Sequence, residues 1–465
     1  MMMKILILVD LKHRDLASAS LIGFFLEKLG YEIHFCSIAS FWKEEESIKN
    51  LDWDVIIIPK PVHSESLIAK CKLQNITTIS INTEGNPQVK KFQYKIPIAP
   101  DLLITWNKKQ EDSHTSYFNK YPSTLFGSKP KIINLGCLRL DFYHEKYSFL
   151  FKSTKEEMIK RFNIKEKDTV ITVATATQDV DIPLESRKIM EERMKSLLEI
   201  FPSYWDIVKS HELSRELVIE TLKEMSEIPN IKVILKPHPN EHVSFWERTL
   251  DDFDEEKFHL MPGGNIQDLL SISDTHIACN VCTTTFEAKL KGIPTIELNT
   301  ALSSELYDEV HLEIADYRVF SAEEAKGVIE NRISSKKFKT EIDESFKTYI
   351  LDKYGKFDGR RCEAYASEID SFLKNKQPNS FSFLEYVRLL FMAYAPVFDL
   401  WVRNKTLPNL SLLKRKVFKF IGLSKQSDQR SFNEEGRQKF DPIMVEGDEK
   451  FWYKKFETNI QFNKR

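Results

Sequence analysis

Glycine is scarce in this chain, 14 residues in 465. The loop after the first apolar run, "DLKHRDLASAS", has none before Gly23, so the chain does not open on a glycine-rich phosphate turn. Cysteine is equally thin: Cys36, Cys71, Cys137, Cys279, Cys282 and Cys362 are scattered, and only Cys279 and Cys282 form a C-x-x-C. With no second pair or histidine cluster beside them, strand packing fits these two better than zinc, and no disulfide framework is visible. No stretch reaches the ~18–20 apolar residues of a membrane-spanning helix. The N-terminal run Ile5 to Val9 is too short for a signal-peptide core and reads as a first strand. Charge of one sign is also missing: 67 Lys and Arg against 69 Asp and Glu give a formal net charge of −2, which argues against a nucleic-acid binder. A cytoplasmic protein, soluble or peripheral on the inner face of a membrane, is the expectation.

What is present is a repeated alternation of strand and helix. "KILILVD", "YEIHFCSI", "WDVIIIPK", "ITTISIN", "PDLLITWN" and "KIINLGC" read as strands separated by helical stretches. The pattern restarts with "DTVITVATA" and runs through "NIKVILKP", "FHLMPG", "THIACN" and "IPTIEL". Such spacing predicts βαβ units and two doubly wound, largely parallel sheets. The expected division is residues 1–150 and 151–375 as two Rossmann-like domains facing a crevice, with 376–465 as a helical extension. Ligands bind such folds outside the carboxyl ends of the strands.

Two segments at those ends carry chemistry. In "IKVILKPHPNE" a buried strand stops at Lys236, because Pro237 and Pro239 cannot continue a central ladder. The rigid turn aims Lys236 and His238 at the crevice, where they suit an anionic ligand such as a diphosphate. In "THIACNVCTTTFEAKLKGIPTIEL" a strand leads into Thr283, Thr284 and Thr285 at a helix start, with free N–H groups and a partial positive charge. Glu287, one turn on, is placed to accept hydrogen bonds from ribose hydroxyls. The plainer alternatives are a surface turn and a threonine N-cap.

These segments, in this order, resemble the donor-binding half of GT-B glycosyltransferases of bacterial surface carbohydrate and capsule synthesis, Kdo-type transferases and CDP-glycerol glycerophosphotransferases among them. "KYGKFDGRRCEAYASEI", with Asp358, Gly359 and Arg360, is similar to the closing helix of that group. The resemblance covers roughly residues 1–375. It implies a GT-B fold and a nucleotide-sugar donor, for example a CMP-Kdo-like one. Transfer would be to a glycan or lipid-linked acceptor, with no cofactor and no metal. It also implies that Glu84 in "SINTEGNP" is a catalytic acid or base on the acceptor side, and that Asp179 or Asp181 in "VATATQDVDIP" faces it, with Gln178, as a second carboxylate or nucleophile. Gly136, Arg139 and Asp141 in "INLGCLRLDF" read as hinge and cleft residues, and Arg14 as an anion contact. A polyol-phosphate transferase of the CDP-glycerol type and a non-catalytic scaffold subunit are the alternatives.

The tail differs in character. "EYVRLLFMAYAPVFDLWVRN" and "SLLKRKVFKFIGL", within residues 380–425, mix apolar residues with positive charge. They read as interfacial helices on an anionic membrane surface, or else as helices docked on the protein itself.

Overall fold

The structure, a computed structural model, describes residues 2–38, 52–61, 64–83, 96, 98–126, 129–195, 204–280, 282–307, 313–336, 339–404 and 447–460. Two six-stranded sheets form its frame. The first holds β1 (Lys4–Val9), β2 (Glu32–Ser37), β3 (Val55–Ile58), β4 (Thr77–Ile81), β5 (Leu102–Thr105) and β6 (Lys131–Asn134), in the order β2-β1-β3-β4-β5-β6. The second holds β7 (Thr169–Ala174), β8 (Ile231–Lys236), β9 (Phe258–Leu260), β10 (Thr275–Cys279), β11 (Thr295–Leu298) and β12 (Tyr317–Val319), in the order β12-β11-β10-β7-β8-β9. Every pairing is parallel.

The apolar runs explain this arrangement. A parallel sheet covered on both faces needs strands that are apolar on both sides. Ile5, Ile7 and Val9 pack into the core under the helix Lys12–Lys28, while Leu6 and Leu8 pack on the opposite face with Leu67 and Ile68. The second sheet has the Rossmann order, and the first keeps the flavodoxin-type arrangement at its β1/β3 end. The order therefore reverses between β1 and β3 in one sheet and between β7 and β10 in the other, which fixes where ligand sites form. Eleven of the twelve strands are legible in the sequence. The twelfth, β12, has only three residues.

One boundary moves. The helix Arg361–Asn375, grouped by sequence with the second half, packs into the core of the first through Cys362, Tyr365, Ala366 and Ile369. Asp141, fully buried, accepts hydrogen bonds from the backbone N–H groups of Arg361 (2.9 Å) and Cys362 (2.7 Å) and so caps that returning helix. Asp101, also buried, then gathers Lys72 (2.9 Å) and Lys376 (3.2 Å), which pins the chain just beyond it.

In its described parts the tail follows the second expectation, helices docked on the protein itself. On the helix Phe383–Asn404, Leu389, Met392 and Ala393 are buried in the core containing Leu67, Ile68 and Phe126. The helix Asp448–Asn459 seats Phe456, fully buried, beside Phe24, and Lys12 pairs with Asp448 at 2.6 Å. These helices dock on the first half. Phe383 and Leu384 stay exposed, and residues 405–446 lie outside the described ones. Among the described residues no helix is long and apolar enough to cross a membrane.

Because Phe456 fills the site against Phe24, Phe456→Ala is expected to lower unfolding stability by about 3–5 kcal/mol. Urea denaturation of the full chain measures this, and a loss near zero would mean that the last helix is a loose attachment.

Candidate functional site

The second sheet's reversal point is built by the loops after β7, β8 and β10. After β8, the buried Glu241 draws the "KPHPNE" turn onto the β7 loop. Its carboxylate accepts from Thr177 N (2.7 Å), Thr175 Oγ1 (2.8 Å) and Trp246 Nε1 (2.7 Å), and burial raises its pKa against those bonds. His238 N donates to Thr175 Oγ1 (3.3 Å). His238 Nδ1 accepts from Asn240 N (3.2 Å), which leaves the ring proton on Nε2. Burial, followed by the neighbouring His211, pushes the His238 pKa down to about 4. His238 is thus a neutral N–H donor, whereas the sequence suggested a charge-assisted contact. The cation beside it is Lys236, whose Nζ donates to the Gly263 carbonyl at 3.4 Å.

After β10 comes the helix Thr283–Leu290. Its N-cap is Cys282, which makes no side-chain capping bond, so the three threonines are not the cap. Thr284 Oγ1 bonds to His276 Nε2 at 2.9 Å, and Thr285 Oγ1 donates to Glu297 at 2.9 Å. Those two hydroxyls hold the helix in place and leave Thr283, half-buried, at its mouth. Thr285 N donates to the Cys282 carbonyl at 3.1 Å, and the N–H groups before it are of the kind that favours an anion. Cys279, the other half of the C-x-x-C, packs as a buried strand residue.

Three of the carboxylates expected in the crevice are placed as follows. Asp181 is gripped by Arg215 through two bonds (2.8 and 2.9 Å) and accepts from His242 N (2.8 Å), so it secures loops. Glu287 is buried and meets the first half: Arg139 Nη1 lies 3.2 Å away and Tyr143 Oη donates at 2.6 Å. Burial raises its pKa while Arg139 and Tyr143 oppose that rise. Glu287 therefore joins the two halves and does not present a ribose contact. Asp179 keeps 17% of its side chain exposed, next to His211 (3.1 Å) and Tyr204 (3.4 Å). Gln178 opens the same turn.

From the first half, Arg14 lies at the start of the helix after β1. It holds Asp15 by two bonds (2.7 and 2.9 Å) and reaches Thr83 at 3.4 Å. Its charge is felt by His238, so the two reversal points face each other. Glu84 lies outside the described residues. Glu241, His211, Arg215 and Tyr143 were not singled out from the sequence. A signal for two of them exists: Ser210, His211, Ser214 and Arg215 form a polar patch on a helix whose neighbours Ile207, Val208, Leu217 and Val218 are buried.

Two outcomes test this wiring. Arg139→Met leaves a buried carboxylate without its cation and is expected to cost about 3–5 kcal/mol, with Glu287→Gln in the same background restoring part of it in urea titrations. His276, buried between Thr172 and Thr284, has its pKa pushed down to about 3 from 6.5 by burial. Its contribution to stability is complete above pH 6.5 and is lost as pH falls toward 3, because the unfolded chain takes the proton first. Unfolding free energy between pH 7 and 5 should fall less for His276→Gln than for the parent.

No family model and no curated protein matches the chain. Solved structures do. The wall teichoic acid polymerase TagF, as a variant soaked with CDPG, matches with 13% identity over 80% of this chain and 88% of that one, TM-score 0.50. The S. aureus MnaA–UDP co-structure matches with 10% identity over 82% and 100%, TM-score 0.48. Anabaena HepE in complex with UDP-glucose matches with 12% identity over 79% and 99%, TM-score 0.42. Together with two parallel sheets whose reversal points face each other and a last helix that returns to the first half, the TagF likeness identifies the architecture: the chain has the two-domain GT-B fold.

Proposed function

We propose that the protein is a glycosyltransferase. It takes a sugar from a nucleotide-sugar donor and delivers it to a glycan or lipid-linked acceptor in surface polysaccharide synthesis. The observation that supports this reading is the placement of Lys236 and His238 at the end of β8 and of the helix start at Thr283 after β10, on either side of β7 at the carboxyl edge of the second sheet. An ammonium, a neutral donor and the N–H groups of a helix start together suit a phosphate leaving group. The reading includes Glu84 as the acceptor-side acid or base, with Arg14 in the facing wall. It includes independence of metal, because Lys236 and the helix start supply the positive charge. An inner-face membrane location would rest on Phe383, Leu384 and the basic segment that follows them.

Transfer of a polyol phosphate from a CDP-linked donor is the second reading. It uses the same phosphate contacts, and the soaked TagF structure, which shares the fold, is what favours it.

A thermal-shift panel of CMP, CDP, UDP, GDP, their sugar conjugates and CDP-glycerol tests the proposal. One class should stabilise the chain by about 2.7 kcal/mol at 100 times its dissociation constant. The stabilisation should survive EDTA and disappear in Lys236→Met and His238→Ala. No shift with any member would point to a non-catalytic subunit. Glu84→Gln retaining full turnover would remove the acceptor-side assignment.

A further inference from the structure

Behind the phosphate contacts stands a buried chain of three side chains. Tyr307 and His211 are both buried, with Tyr307 Oη 3.1 Å from His211 Nε2. The Asp179 carboxylate can only accept, so the His211 Nδ1 beside it carries the ring proton and Tyr307 Oη donates to Nε2. That Nδ1 lies 3.1 Å from Asp179 Oδ2, while Tyr204 Oη donates to Oδ1 at 3.4 Å. Tyr307, His211 and Tyr204 thus stand around Asp179, whose side chain stays 17% exposed. The Asp179 turn follows β7, and the helix start at Thr283 follows β10, its neighbour in the sheet. Asn280 Nδ2 ties the two loops through the Ala176 carbonyl at 3.0 Å. Asp179 and His211 both act electrostatically on His238.

We propose that Asp179, positioned by His211 and Tyr307, is the carboxylate that reads a pair of hydroxyls on the donor, the role Glu287 cannot fill while Arg139 and Tyr143 hold it. This rests on the donor reading above. A carboxylate accepts hydrogen bonds only and repels phosphate. Beside a phosphate site it selects the part of the ligand that donates. Two oxygens on one carbon suit two adjacent hydroxyls. The ribose and the transferred sugar or polyol both carry such pairs. His211 is a positioning residue, acting through Asp179.

Isothermal titration of the full chain with CDP and UDP, their 2′-deoxy forms, UDP-glucose and CDP-glycerol separates the cases. Asp179→Ala should weaken the favoured ribonucleotide about tenfold or more. If the 2′-deoxy form is unaffected, the ribose is the group read. If only the extra affinity of the conjugate is lost, the transferred group is read. Either result supports the proposal. His211→Ala should reproduce part of the loss, and His211→Asn, whose amide replaces Nδ1–H, should restore it. A merely structural role would not give that pattern. Asp179→Asn, which keeps the side-chain volume, carries the test if the alanine variant does not fold. Unchanged affinities in the Asp179 variants, with Lys236→Met still abolishing binding, overturn the inference and leave the donor reading intact. If the parent binds none of these ligands, both fall.

Discussion

The geometry of the crevice depends on how the two halves are joined. Gly136 and Gly355 cross so closely that a Cβ on Gly355 would lie 2.6 Å from the Gly136 Cα, and both have positive φ. Around that crossing Trp106, Cys137 and Leu140 of the first half share one core with Phe286, Leu290, Phe346 and Tyr354 of the second. Glu287 is the polar centre of this junction, ion-paired with Arg139 and hydrogen-bonded by Tyr143. The helix Thr283–Leu290 therefore has two duties. Its side chains close the joint between the halves, and its N-terminus is the proposed anion contact. A shared, close-packed core transmits displacement, so the start of this helix is fixed relative to the first half.

A second principle orders the polar residues of the crevice. Those locked to other protein groups are spent on structure: Glu241 and Asp181 weld the loops after β7 and β8, Thr284 and Thr285 fasten the helix start, and Asp141 caps the returning helix. Lys236, His238, Asp179 and Thr283 are half-buried and are the ones proposed to meet a ligand. A buried charge left unpaired costs several kcal/mol, so paired burial and ligand contact are competing uses of the same side chain. Asp179 combines them: it lies against His211 and Tyr204 and keeps part of its side chain exposed.

The fold was legible because parallel strands buried on both faces write themselves as apolar runs, and because prolines mark where β8 must stop. The positions of Lys236 and Thr283 at strand ends were legible for the same reason. Pairing was not legible. Nothing local in "TTTFEAKL" says that Glu287 meets Arg139, 148 positions away in the chain, or that Thr285 is committed to Glu297. His211 and Arg215 were hidden because helix periodicity reports which face is buried, not what a polar residue on that face finds there. The returning helix was grouped with the second half because sequence order was taken for spatial order, and Asp141, its cap, lies 220 residues before it.

The most direct measurement is a crystal structure of the full chain soaked with a nucleoside diphosphate, CDP or UDP. The account predicts phosphate oxygens on the backbone N–H groups at Thr283, within hydrogen-bond distance of the Lys236 ammonium and the His238 Nε2, with Arg139 still on Glu287. Nucleotide bound elsewhere, or phosphate at that reversal point without contact to Lys236 or His238, would contradict it.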